Sequence, residues 1–155
     1  MREAVTAYVG IGANLGDPAA AVRTAIQRLR ELPATTLDAQ SSLYRTAPVD
    51  SSGPDYINAV VQLSTQLTAP DLLRELQRIE NAAGRERPYR NAPRTLDLDL
   101  LIFGSASIQS AELQIPHPRM LERAFVLVPL AEIAPAMLSE ARLVAVSEQR
   151  IVRVA

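Results

Sequence analysis

The order in which the apolar period changes along the chain restricts the fold more than any composition figure. Val5, Ala7, Val9 and Ile11 alternate over 5–12, the period of a half-buried strand. Gly10 and Gly12 fall on its other face, where something can approach the backbone closely. Asp17-Pro18 then supplies an N-cap followed by proline at the first helical position. Val22, Ile26 and Leu29 follow at helical spacing, and Pro33 ends the run. A strand is expected over 38–46, then a loop with Pro48, Ser51, Ser52, Gly53 and Pro54. The alternation is clearest over 56–65, with Ile57, Ala59, Val61 and Leu63 on one face and Tyr56, Asn58, Val60 and Gln62 on the other. Thr68-Ala69-Pro70-Asp71 resembles a capping box, Leu72, Leu76, Ile79 and Ala83 line a helical stripe, and Gly84 is a natural stop. Pro88, Asn91 and Pro93 make 85–94 a loop, and 95–103 returns to a strand with Leu96, Leu98 and Leu100 on one side. A short strand near 113–115 and a helix near 124–133 complete the reading. Strand, helix, strand, strand, helix, strand predicts an α+β, ferredoxin-like fold, an antiparallel sheet with helices packed on it and a short C-terminal extension.

The 155 residues are expected to form a single domain, 1–155, with no internal repeat or linker. The chain has no cysteine, which excludes disulfides, thiolate metal sites and cysteine nucleophiles. All 16 basic residues are arginine. Without lysine there is neither a P-loop nor a Schiff-base mechanism. A net charge of -1 is far from that of a general nucleic-acid binder. No apolar run is long enough to span a membrane. The first residues, Met1-Arg2-Glu3-Ala4, do not resemble a signal peptide, so a soluble cytoplasmic protein is expected. Gly10-Ile11-Gly12-Ala13-Asn14-Leu15-Gly16 is not a dinucleotide fingerprint: its last glycine comes one residue late, and the element order is not doubly wound.

Residues able to carry chemistry concentrate after position 84. Asp97 and Asp99 stand at i and i+2 on a strand, so both carboxylates share one face. Held that close they repel, unless a cation sits beside them. An all-oxygen pair suits Mg²⁺ bound together with phosphate oxygens; a solvated strand face is the alternative. Arg85, Arg87, Arg90 and Arg94 fall within ten residues, where an even spread would put about one. Arginine forks match phosphate oxygens, although a salt-bridged surface loop would also contain them. Tyr56 and Asn58 could stack on a flat heterocycle and read its edge, or form an ordinary cross-strand pair. Phe125 is either core or a second stacking surface. His117, the one histidine, is enclosed by Pro116 and Pro118 and is either a phosphate donor or a turn residue.

Five segments together carry a resemblance that covers almost the whole chain. Gly12-Ala13-Asn14-Leu15-Gly16-Asp17, Ser42-Leu43-Tyr44-Arg45-Thr46-Ala47-Pro48-Val49, Pro54-Asp55-Tyr56-Ile57-Asn58-Ala59 and Arg90-Asn91-Ala92-Pro93-Arg94-Thr95-Leu96-Asp97-Leu98-Asp99-Leu100-Leu101 come first. The fifth comprises Ile115-Pro116-His117-Pro118-Arg119-Met120 and Arg123-Ala124-Phe125-Val126-Leu127. In that order they resemble the 6-hydroxymethyl-7,8-dihydropterin pyrophosphokinase family of folate biosynthesis. The resemblance implies pyrophosphoryl transfer from ATP to the pterin hydroxymethyl group, giving AMP and the pterin diphosphate. It implies that Asp97 and Asp99 ligate two Mg²⁺ ions bound with ATP, and that Arg85 and Arg94 are the catalytic arginines. Tyr56 and Phe125 would sandwich the pterin and Asn58 would bond its edge, with Thr46 and Val49 completing the pocket. Gln77, Glu80, Arg87, Leu100, His117 and Arg123 would line the ATP side, in a protein expected to be a monomer. Asn91, Glu112 and Pro118 depart from some members, in the loop and near the ATP contacts. Two alternatives remain: a non-catalytic nucleotide- or pterin-binding ferredoxin-like module, and an RNA-binding sheet, which lacks the expected strand aromatics.

Overall fold

The computed structural model describes residues 2–48, 53–83 and 96–154. Strand β1 (Val5–Ala13) leads to helix α1 (Pro18–Arg30), and Asp17 caps it by accepting the Ala20 N–H at 3.1 Å. Two strands follow, β2 (Thr35–Gln40) and β3 (Tyr44–Thr46), then β4 (Tyr56–Thr65) and helix α2 (Ala69–Ala83). Thr68 Oγ1 accepts the Asp71 N–H at 3.1 Å, the half of the capping box that the first turn needs. Strand β5 (Asp97–Phe103) is followed by a hairpin of β6 (Ile108–Gln109) and β7 (Gln114–Ile115). Helix α3 (Ala124–Ile133), the short helix α4 (Glu140–Ala145) and strand β8 (Ile151–Arg153) end the chain. The expected helix stop at Gly84 and the expected loop 85–94 lie outside the described residues.

The sheet is antiparallel, in the order β5-β1-β4-β3-β8, with β2 paired to the other half of the β4 edge. Taken with α1 and α2 on one face, this is the expected ferredoxin-like arrangement with one added edge strand. The expected strand 38–46 is in fact two strands with a shifted start. β2 begins at Thr35 and carries a bulge between Leu37 and Ala39. Asp38 bonds Thr36 and Ser64 there. Between β2 and β3, Ser41 keeps contact with β4: its N–H reaches the Val60 carbonyl and its Oγ accepts the Val60 N–H, both at 2.9 Å. Both strands therefore share one long partner, which local periodicity does not encode.

Two cores flank the sheet. Val9, Ile11, Ala59, Val61, Leu63, Leu98 and Leu100 pack beneath α1 and α2 with Val22, Leu29, Leu72 and Leu76. On the opposite face Tyr8, Val60 and Leu101 pack against Val126 and Leu130 of α3. Val60, placed by alternation on a polar face, is 0% exposed because α3 forms a third layer. A bulge beside Leu101 in the β1–β5 pairing resets the alternation, so Phe103 rather than Ile102 joins the α1/α2 core. Val146, Leu143 and Ile151 of the C-terminal segment pack on the far side of α3, against Ala124 and Leu127.

Candidate active site

Register across the sheet brings the candidate residues to the face that α3 partly covers. Gly12 of β1 is paired with Asp97 of β5 on one side and Asn58 of β4 on the other; Gly10 is paired with Asp99 and Val60. The central strand raises no side chain at either position; a Cβ at Gly10 would lie 3.5 Å from the buried Leu101 side chain, so the floor that the acidic and amide-bearing strands share lies at Gly12. The opening at Gly12 is narrow. A Cβ there would lie 3.1 Å from Asn58 Oδ1 and 3.9 Å from Tyr56 Cδ1.

On the β4 side, Asn58 is 4% exposed and its Nδ2 donates to Thr46 Oγ1 at 2.8 Å. That bond orients the amide, because Nδ2 must point toward β3. Tyr56 is half-buried and paired with Thr46. Asn14 of the turn after β1 donates to the Pro54 carbonyl at 3.4 Å, tying that turn to the approach to β4. Phe125, in the first turn of α3, is half-buried against the second core, and the Arg123 guanidinium lies 5.3 Å from its ring centroid, within cation–π range.

On the β5 side, Asp97 is exposed and Asp99 half-buried, while Leu96, Leu98 and Leu100 enter the core as alternation required. β5 is a sheet edge. Glu80 of α2 reaches that edge: its Oε2 accepts the Leu98 N–H, between the two aspartates, at 2.8 Å. A cleft of about 280 Å³ opens beside Asp99, lined by Leu73, Leu98, Leu100, Glu112, Gln114, His117 and Pro118 among others. The His117 backbone N–H bonds the Leu101 carbonyl at 2.9 Å, and its Nδ1 accepts the Arg119 N–H at 3.2 Å. In the neutral ring the proton therefore sits on Nε2. Burial lowers the His117 pKa from its ordinary value, against an opposing pull from Asp99.

The structure thus sets Thr46, Tyr56, Asn58, Asp97 and Asp99 on one sheet face, with Arg123 and Phe125 at the start of α3 on that same face, while His117 and Leu100 line the cleft at the β5 edge, Leu100 from the α1/α2 side. Gln77 is exposed on α2 and does not line the cleft; Leu73, one turn earlier, does. Val49, Arg85, Arg87 and Arg94 lie outside the described residues, as does Asn91. Among the described residues no group of three or more His, Asp or Glu could hold a metal. The aspartate pair is thus an all-oxygen donor set of two carboxylates, of the kind that Mg²⁺ takes when water and phosphate oxygens fill its other positions. Three contacts escape sequence reasoning. Glu80 meets a partner 18 positions away, Glu132 one 90 away and Gln149 one 25 away. No local pattern marks any of them.

Comparisons with known proteins bear on the family and the fold. The model of the 7,8-dihydro-6-hydroxymethylpterin-pyrophosphokinase family matches residues 8–135. A 2-amino-4-hydroxy-6-hydroxymethyldihydropteridine pyrophosphokinase of Haemophilus influenzae is 46% identical over 131 residues, 84% of this chain and 82% of that protein. A protein of the same name from Bacillus subtilis is 43% identical over 136 residues, 87% of this chain and 81% of that one. Among solved structures, a wild-type Plasmodium falciparum HPPK-DHPS with pterin and p-hydroxybenzoate superposes with a TM-score of 0.70 at 14% identity. The match covers 96% of this chain but only 43% of that longer one, and shows the fold. With the family model matched over residues 8–135 and relatives of that name 43–46% identical over more than four fifths of the chain, the chain belongs to the 7,8-dihydro-6-hydroxymethylpterin pyrophosphokinase family.

Proposed function

We propose that the chain transfers the pyrophosphoryl group of ATP to the hydroxymethyl oxygen of 6-hydroxymethyl-7,8-dihydropterin, releasing AMP and the pterin diphosphate. The observation that carries this reading is the shared floor at Gly12, which separates Asp97 from Asn58 and raises no side chain between them. A polyphosphate and a flat heterocycle can then lie side by side on one face.

On this reading Tyr56 and Phe125 enclose the pterin ring, while the Asn58 amide, aimed by Thr46, bonds its edge. Val49 completes that pocket. The nucleotide takes the cleft beside Asp99, with Leu100 and His117 at its wall; Gln77, Glu80, Arg87 and Arg123 would contact it from outside that wall. Nε2–H of neutral His117 is suited to donate to a phosphate oxygen. Asp97 and Asp99 would hold two Mg²⁺ ions, which when bound neutralise the triphosphate oxygens. Arg85 and Arg94 would hold the phosphates in line for attack. Transfer of this kind rests on positioning and charge neutralisation rather than on a strong base. The reading includes a monomeric, cytoplasmic protein; among the described residues no helix is long and apolar enough to cross a membrane.

The test is a product assay. Protein, ATP, Mg²⁺ and the pterin should yield pterin-dependent AMP with no ADP. ADP would refute pyrophosphoryl transfer; binding of both ligands without turnover would favour the non-catalytic module. Asp97→Ala should fold normally and lose turnover, and a near wild-type rate in that variant would remove the metal assignment.

A further inference from the structure

Helix α3 is fastened at both ends by side chains that the reaction does not use. At its start, the Arg123 side chain makes no capping bond. Gln149 of the C-terminal segment does the work: its Oε1 accepts the Ala124 N–H at 2.8 Å and its Nε2 donates to the Glu122 carbonyl at 2.7 Å. At the other end, Glu132 meets β3 and the residues before it. Its Oε1 accepts the Ser42 N–H at 2.9 Å and the Tyr44 hydroxyl at 2.6 Å, and its Oε2 accepts the Ser42 hydroxyl at 2.9 Å. Arg153 of β8 stands 3.8 Å away. Burial works to raise the Glu132 pKa, but the bonds from Tyr44 and Ser42 overcome it and hold the carboxyl below its ordinary value.

These fastenings bear on Phe125. Phe125 and Glu132 are seven residues apart, two turns or about 10 Å along one face of the helix. Pro129 lies between them and has no N–H, so the helical bond to the Phe125 carbonyl is missing. The first turn is thus less tied to the remainder of α3, and Gln149 fixes it from outside. Glu132 ties the other end to Tyr44, two residues before Thr46, which in turn aims Asn58. The two side chains therefore hold the roof and the floor of one slot in a fixed relation.

We propose that Glu132 and Gln149 are positioning residues that set the gap between Phe125 on α3 and Tyr56 and Asn58 on the sheet, and with it the affinity for the flat heterocycle. The proposal rests on the reading of that slot as the pterin site. The experiment measures the Kd of 6-hydroxymethyl-7,8-dihydropterin and of ATP with Mg²⁺ by calorimetry, along with Tm, for Glu132→Gln, Gln149→Ala and Phe125→Ala. Glu132→Gln should weaken pterin binding about tenfold with the ATP Kd unchanged, less than the roughly hundredfold that a full 1 Å misplacement can cost a positioned reaction. Gln149→Ala should weaken both ligands, because Arg123 lies between the two residues it bonds. Wild-type pterin affinity in both variants would overturn the proposal, as would an equal loss of pterin and ATP affinity in Glu132→Gln. If Glu132→Gln does not fold, Tyr44→Phe, which removes a single bond to the same carboxylate, takes its place with the same expectation. Wild-type pterin affinity in folded Phe125→Ala would overturn the slot assignment itself, and is thereby distinguished from failure of the brace.

Discussion

Gly12→Ala probes the shared floor with a single methyl group. The added Cβ would lie 3.1 Å from Asn58 Oδ1, a few tenths of an ångström inside ordinary contact. Asn58 is buried and its amide is held by the 2.8 Å bond to Thr46, so it can yield only by stretching or turning that bond. Weakening a buried neutral hydrogen bond costs about 1–2 kcal/mol. Alanine recovers part of this in folding, since glycine within a strand is itself destabilising by about 0.5–1 kcal/mol. Net stability should therefore change by less than about 1.5 kcal/mol. The pterin does not share that compensation: it loses the aimed amide and meets a methyl on its floor, together worth about 1.4–2.8 kcal/mol, or tenfold to a hundredfold in Kd. Titration calorimetry with the pterin, with ATP as control and a melt to confirm folding, tests the reasoning. A folded Gly12→Ala protein with wild-type pterin affinity would refute it.

Two further predictions concern the braces. Tyr44 is 6% exposed; burial first, and the bond to Glu132 second, push its hydroxyl from 10.0 up to about 12. Its folded value lies above its unfolded one, so the stability it contributes is complete below pH 10 and is lost as pH rises from 10 to 12. Two pKa units correspond to about 2–3 kcal/mol. Urea melts at pH 9 and 11.5 should show a larger loss in the wild type than in Tyr44→Phe, where Tyr8, whose pKa burial also raises, still contributes; equal losses in both would contradict the buried-hydroxyl account. Glu80→Ala leaves the Leu98 N–H without its charged acceptor at the β5 edge. The expected cost is about 1–2 kcal/mol, which for a chain of this size lowers Tm by roughly 3–6 °C, and an unchanged Tm would show that Glu80 does not hold the strand.

What a segment can bury on its own was legible before any coordinates. The 56–65 strand, the α2 stripe from Leu72 to Ile79 and the caps at Asp17 and Thr68 are encoded within a few residues of where they act, and the structure places them as read, whereas Ala83, expected at the end of that stripe, is exposed. So is the shared face of Asp97 and Asp99, which follows from the two-residue period alone. The composition excluded cysteine and lysine chemistry outright, and the five motifs pointed to the family through residues lying in order along the chain. Tertiary structure decided the rest. Helix α3 is apolar on all sides, so no stripe could say which surface it covers; it lies on the face where alternation had placed polar residues, and it buries Val60. The break between β2 and β3 depends on their both pairing with β4, a long-range matter of register and bulges. Glu80, Glu132 and Gln149 owe their roles to backbone groups brought near by folding. A charged or amide side chain has no period, and its partner is chosen by the packed elements around it rather than by its neighbours in sequence.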